Sequence, residues 1–219
     1  MHPAHFLRVV VLAVLGLPDR SAGAREAATV TPTRSRSRAV GQGGGGPLYG
    51  RFLVEEVKLS IDRTCRTLPE CETTGVAGSS LGGLISLHLA REHPGVLGLC
   101  AAVSPSFLWD EGVVIRDFEK RPEKPSRIPC WIEVGTLEGR RRGDAGDDSV
   151  AAPLARTREL LGALDTAGLW PGRDHDYTEI AGARHDETAW AARCDRIVLF
   201  LFGRSRRDEA KYWRKRWLC

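Results

Sequence analysis

The chain has 219 residues, 42% hydrophobic and 27% charged, which are the proportions of one soluble globular domain rather than of a disordered or fibrous chain. Lys plus Arg number 32 against 28 Asp plus Glu, and a net charge of +4 so evenly mixed argues against a nucleic-acid footprint. Six cysteines, at 65, 71, 100, 130, 194 and 219, are too sparse for a disulfide-built scaffold; none forms a C-x-x-C pair, and reduced thiols are expected.

The first apolar segment, FLRVVVLAVLGL at 6–17, is too short to span a bilayer. Followed by the small residues Ala22, Gly23 and Ala24, it has the outline of a signal peptide, and residues 1–24 would then direct secretion. The competing reading is a buried strand, since Val9 to Leu15 is an unbroken aliphatic run of strand length ended by Gly16 and Pro18, and the chain would then be cytoplasmic. Residues 19–47 are rich in Arg, Ser, Thr, Ala and Gly and read as a long loop; no Lys-Ser/Thr pair follows Gly43 to Gly46, so a phosphate-binding loop is unsupported. An imperfectly amphipathic helix is predicted from Leu48 to about Arg63.

Residues 73–90 run from the strand-like TTGVA through GSSLGG into a helical pattern at Leu84, Ile85, Leu87 and Leu89. Further strands are predicted at 96–103, 128–134 and 177–180, with helices at about 151–167 and 186–202. Strands alternating with helices imply an α/β fold, a mostly parallel sheet covered on both faces. One domain is expected over 1–203, followed by a tail at 204–219 with seven basic side chains and Trp213 and Trp217 one helical turn apart. The tail is read as a solvated terminal helix rather than a membrane-surface one. Cys219 is the last residue, so the prenylation motif is absent.

Gly78, Ser79, Ser80, Leu81 and Gly82 fit G-x-S-x-G, in which a sharp strand-to-helix turn lifts the central serine above a sheet. Side chains two positions before and after the serine would collide in such a turn, which accounts for the glycines. Ser80 is the expected nucleophile, and the Leu81 N–H, at the positive end of the next helix, is an expected oxyanion donor. A serine hydroxyl needs a base, and in this arrangement the chain order is Ser, then Asp or Glu, then His. His2, His5, His88 and His93 come too early, and His175, between Asp174 and Asp176, reads as solvated. His185, in a loop after the last strand and before the last helix, is the expected base. Glu138, just beyond the strand ending at Val134, is the expected acid, with Asp144, Asp147 and Asp148 as rivals; Glu133 lies within the strand and reaches the site less well. No H-E-x-x-H or other ligand spacing is present, so neither metal nor organic cofactor is expected.

The segments GVAGSSLGGLISLHLAREHP, AAVSPSFLWD, WIEVGTLEG and GARHDETAW, in this order over roughly 45–203, resemble the α/β-hydrolase esterases of the esterase D-like and enterochelin esterase-like family. The resemblance implies a three-layer α/β-hydrolase sandwich, a Ser80, His185 and Glu138 triad, and Trp109 and Trp190 lining or bracing an acyl pocket. It also favours a strand for LRVVVLAVLGL. Members of that family usually carry further strands upstream, one ending in a turn that supplies a second oxyanion donor, so the sheet is expected to be N-terminally short.

The expected function is a serine carboxylic-ester hydrolase acting through an acyl-enzyme on a small-molecule ester, with no nucleic acid and no membrane span. Leu84, Phe107, Leu108 and Trp109 suggest room for an acyl or aromatic group. The alternatives are an acyltransferase of the same fold, or a truncated, catalytically impaired scaffold acting as a non-enzymatic module.

Overall fold

A computed structural model describes residues 11–14, 31–33, 43–121, 129–139 and 152–203. The basic tail, most of the 19–47 loop, and Asp144, Asp147 and Asp148 lie outside the described residues. Five strands, β1 (Val11–Val14), β2 (Gly75–Ser79), β3 (Leu99–Val103), β4 (Cys130–Gly135) and β5 (His175–Ile180), form one sheet in sequential order. All four pairings are parallel. Seven α-helices are described: α1 (Gly46–Arg51), α2 (Lys58–Thr64), α3 (Leu81–Glu92), α4 (Val113–Lys120), α5 (Ala152–Thr166), α6 (Glu187–Ala191) and α7 (Cys194–Phe202).

The central strands read as continuous apolar runs because both their faces are covered; every residue of β2 and β3 is buried. Since consecutive strands are neighbours and crossovers share one hand, α3, α4 and α5 stack on a single face. There Leu84, Leu87, Val114, Ile115, Phe118, Leu160 and Leu164 pack on Val76, Cys100, Ala102, Cys130 and Ile132. The opposite face is left to the segment after β5, and Trp190, Ile197, Phe200 and Leu201 cover Ala77, Leu99, Ala101 and Val103. The result is the expected three-layer α/β sandwich.

Several boundaries differ from the sequence reading for physical reasons. The helix expected at 48–63 is continued between α1 and α2 by a π-helical stretch, Phe52–Val57, which shifts its apolar face and accounts for the imperfect periodicity. The single helix expected at 186–202 is two, broken at Ala192 and Arg193. Residues 96–98, expected to open β3, belong instead to the turn and loop that precede it. Leu84 and Phe107, expected near an acyl pocket, are 0% and 1% exposed and belong to the core, whereas Leu108 is exposed. No helix among the described residues is long and apolar enough to cross a membrane.

His175 corrects another expectation: it is buried, not solvated. Its ring faces a small cavity of about 40 Å³ beside Arg91, Cys100, Cys130, Leu164 and Asp174, and neither ring nitrogen has a hydrogen-bond partner among the described residues. Burial pushes its pKa below the ordinary 6.5, against the pull of Asp174 and Asp176, so the folded chain holds the ring neutral. A histidine with a depressed folded pKa binds fewer protons folded than unfolded, so stability rises with pH between the two values. The contribution is complete above about pH 6.5, the unfolded value, and is lost progressively as the pH falls below it. Urea unfolding at pH 7.5 and 5.5 is expected to show the loss, and His175→Phe is expected to reduce it. A residual slope then comes from His88, whose pKa burial also lowers.

Candidate active site

The groups singled out in the sequence meet at the carboxyl ends of the strands, where ligands bind in open parallel sheets. Ser80 stands between β2 and α3 with φ +57° and ψ −121°, an unusual backbone state for a residue with a side chain. The turn is held to the end of β3 from both sides, the Ser80 N–H donating to Val103 O (3.0 Å) and the Ser106 N–H donating to Ser80 O (3.0 Å). A Cβ on Gly78 would lie 2.5 Å from the Gly82 backbone, so the glycine two before Ser80 is required by the close approach of the glycine two after it. Gly78→Ala is therefore expected to lower stability by about 1–3 kcal/mol. Gly95→Ala, where a Cβ meets nothing within 4 Å, is expected to leave it within about 0.5 kcal/mol, and urea midpoints compare the two.

Ser80 Oγ lies 2.9 Å from His185 Nε2, and His185 Nδ1 lies 2.9 Å from Glu138 Oε2. A carboxylate only accepts hydrogen bonds, so Nδ1 carries the imidazole proton and Nε2 is left to accept from the Ser80 hydroxyl. Glu138 is 1% exposed and sits in the turn after β4. Its Oε1 accepts from the Gly135 N–H (2.7 Å) and from the Ser104 hydroxyl, which aims Oε2 at His185. The turn carrying Glu138 is tied to the loop carrying His185 by Leu137 N–H to Ala183 O (3.0 Å) and Gly182 N–H to Thr136 Oγ1 (3.0 Å). Gly135 makes this possible, since a Cβ there would lie 2.4 Å from Ala183 O. Glu133, by contrast, is fully buried in β4, accepting from Arg193 Nε (2.7 Å) and Trp131 Nε1 (3.0 Å) on the other face of the sheet.

Leu81 is the first residue of α3, where backbone N–H groups have no intrahelical partner. Trp190 is 6% exposed, its indole N–H donating to Ser104 Oγ (3.0 Å) and its ring meeting the His185 ring edge to face at 4.9 Å. From there it braces the His185 ring. Trp109 is half-buried and donates to Thr33 O (3.1 Å), against Gly43.

Two serines that sequence reasoning passed over belong to this cluster. Ser104, fully buried with φ +45°, links Trp190 to Glu138. Ser106 Oγ lies 3.1 Å from Ser80 Oγ. The available signal was the Ser-Pro-Ser that closes β3 within AAVSPSFLWD. β1 borders β2, with Val14 opposite Gly78, and so ends at the same edge of the sheet as Ser80. Among the described residues no group of three or more His, Cys, Asp or Glu is arranged to hold a metal ion.

Comparison with known proteins gives the family and the fold. A family model described as Putative esterase matches residues 4–201. The uncharacterized protein YbbA of Bacillus subtilis (strain 168) is 25% identical over 100 residues, 46% of this chain and 39% of that one. The siderophore hydrolase EstA from Aspergillus nidulans superposes with a TM-score of 0.63 at 18% identity, over 81% of this chain and 66% of that one. An enterobactin esterase from Shigella flexneri gives a TM-score of 0.62 at 16% identity, over 84% of this chain and 42% of that one. At such identities the structural likenesses establish the α/β-hydrolase fold. The chain spans less than two thirds of the length of each of these proteins.

Proposed function

The chain belongs to the Putative esterase family, and from that premise we propose that it is a serine carboxylic-ester hydrolase working through an acyl-enzyme on Ser80. The observation that carries the reading is the unbroken run of hydrogen bonds from Ser80 Oγ through the His185 ring to Glu138, drawn from three segments distant in sequence. His185 Nε2 takes the hydroxyl proton as Ser80 Oγ attacks the ester carbonyl carbon. The Leu81 N–H, with the N-terminus of α3 behind it, holds the negative oxygen of the tetrahedral intermediate. His185 then returns the proton to the departing alkoxide, leaving the acyl group on Ser80. In the second half His185 takes a proton from water, which attacks the acyl-enzyme, and gives it to Ser80 Oγ as the acid departs. Glu138 keeps the ring in the required tautomer and stabilises the imidazolium formed in each half.

The test is hydrolysis of a short p-nitrophenyl ester together with labelling by a fluorophosphonate probe. The expected result is turnover and labelling by the wild-type chain, with the label lost in Ser80→Ala. A folded wild-type chain that neither hydrolyses the ester nor takes the label would overturn the reading in favour of a non-enzymatic scaffold.

A further inference from the structure

The Ser80 hydroxyl has one hydrogen, and the geometry above commits it to His185 Nε2. The second contact on Ser80 Oγ, from Ser106 Oγ at 3.1 Å, must then run the other way, with the Ser106 hydroxyl donating to the oxygen that attacks. Ser106 is also fixed by its backbone, since its N–H donates to Ser80 O at 3.0 Å, so the two residues meet at both main chain and side chain. Ser80 Oγ is the only partner of the Ser106 hydroxyl among the described residues. The backbone bond already anchors the loop after β3, and the hydroxyl is left with the nucleophile alone.

We propose that Ser106 is a further catalytic residue, a hydrogen-bond donor to Ser80 Oγ at the moments when that oxygen carries negative charge. The inference rests on the reading of Ser80 as the nucleophile and adds a role that the Ser80, His185 and Glu138 run does not include. In acylation, charge builds on Oγ as its proton moves to His185. In the acyl-enzyme Oγ is an ester oxygen, a weak acceptor, and the bond relaxes. In deacylation Oγ leaves as a developing alkoxide, the reverse of its attack, and the same donor meets the same charge. No proton leaves Ser106 in either half; its hydrogen bond strengthens and weakens as the charge on Oγ comes and goes. Hydrogen bonds to charged groups are about twice as strong as neutral ones, so the contribution is concentrated in the two transition states. Ser106 thus differs from an oxyanion donor, which holds the carbonyl oxygen, and from a donor to the leaving alcohol, which would act in acylation only.

Burst kinetics with a short p-nitrophenyl ester separate the two halves. In Ser106→Ala the burst (acylation) and the steady phase (deacylation) are both expected to slow by about ten- to a hundredfold, as loss of one hydrogen bond to a charged group implies, with the equilibrium binding of substrate unchanged. Ser106→Thr, which keeps the hydroxyl, is expected to recover most of both rates. The factor lost in acylation is expected to be the same for an alkyl ester of the same acid, because the donor holds Oγ and not the leaving group. Ser106→Ala rates within twofold of wild type in both phases would overturn the proposal. So would a loss confined to acylation that grows with the basicity of the leaving alcohol, which would put the hydroxyl on the leaving group. A Ser80→Ala chain as active as wild type would instead overturn the serine reading, and this inference with it.

Discussion

Replacing Ser80 with alanine, or His185 with alanine, is expected to lower kcat for a short p-nitrophenyl ester by about 10⁶, and replacing both is expected to cost no more than either alone. Ser80 Oγ and His185 Nε2 are 2.9 Å apart and share one proton. Without the base the hydroxyl is a poor nucleophile, and without the hydroxyl the base has nothing to activate. Groups that act as a unit fail as a unit, and what persists in each variant is substrate binding and the donor at Leu81. The double variant is the informative one. If its loss were the product of the two single losses, the residues would be contributing independently and the shared proton would not be the source of the rate.

Glu138→Gln is expected to lower kcat by about 10⁴ while leaving the fold in place. Glu138 Oε1 accepts two hydrogen bonds, from the Gly135 N–H and the Ser104 hydroxyl, so the carbonyl oxygen of a glutamine is held there. The amide NH₂ then takes the place of Oε2, facing His185 Nδ1 2.9 Å away in the wild-type chain. Two donors cannot face each other, so the ring is driven to the tautomer with its hydrogen on Nε2, which cannot accept the Ser80 proton. Steady-state kcat checks the rate, and the ring ¹⁵N shifts of His185 check the tautomer. A Glu138→Gln chain with more than a tenth of wild-type activity would remove Glu138 from the role of orienting acid and return attention to Asp144, Asp147 and Asp148.

The parts of this molecule that can be read from sequence are those whose chemistry forces a pattern. The G-x-S-x-G turn is legible because Gly78 and Gly82 touch backbone to backbone, and no other residue type fits Gly78. Glu138 is legible because the apolar run of β4 marks the sheet edge and the acid follows it by a few residues. Strand runs such as those of β2 and β3 are legible because both faces of a parallel sheet are buried. What fails is what depends on the other side of a contact. A helix buried nearly all round, as α3 is, gives no amphipathic signal to separate core from pocket, so the sequence does not distinguish Leu84 from a pocket residue. His175 between two aspartates has a polar sequence context, but it opens an edge strand whose first residue turns into the core. Ser104 and Ser106 are ordinary turn residues in sequence; their importance lies in a positive φ, the indole of Trp190 and the hydroxyl of Ser80, all set by tertiary packing.

The proposed mechanism passes through a covalent intermediate, and trapping that intermediate is the most direct test. The chain is mixed with p-nitrophenyl acetate, quenched in acid during turnover, digested and analysed by mass spectrometry. The account predicts one acetyl group on the peptide containing Ser80 and none on the corresponding peptide of Ser80→Ala. An unmodified Ser80 peptide during active turnover, or an acetyl group on another residue, would contradict it.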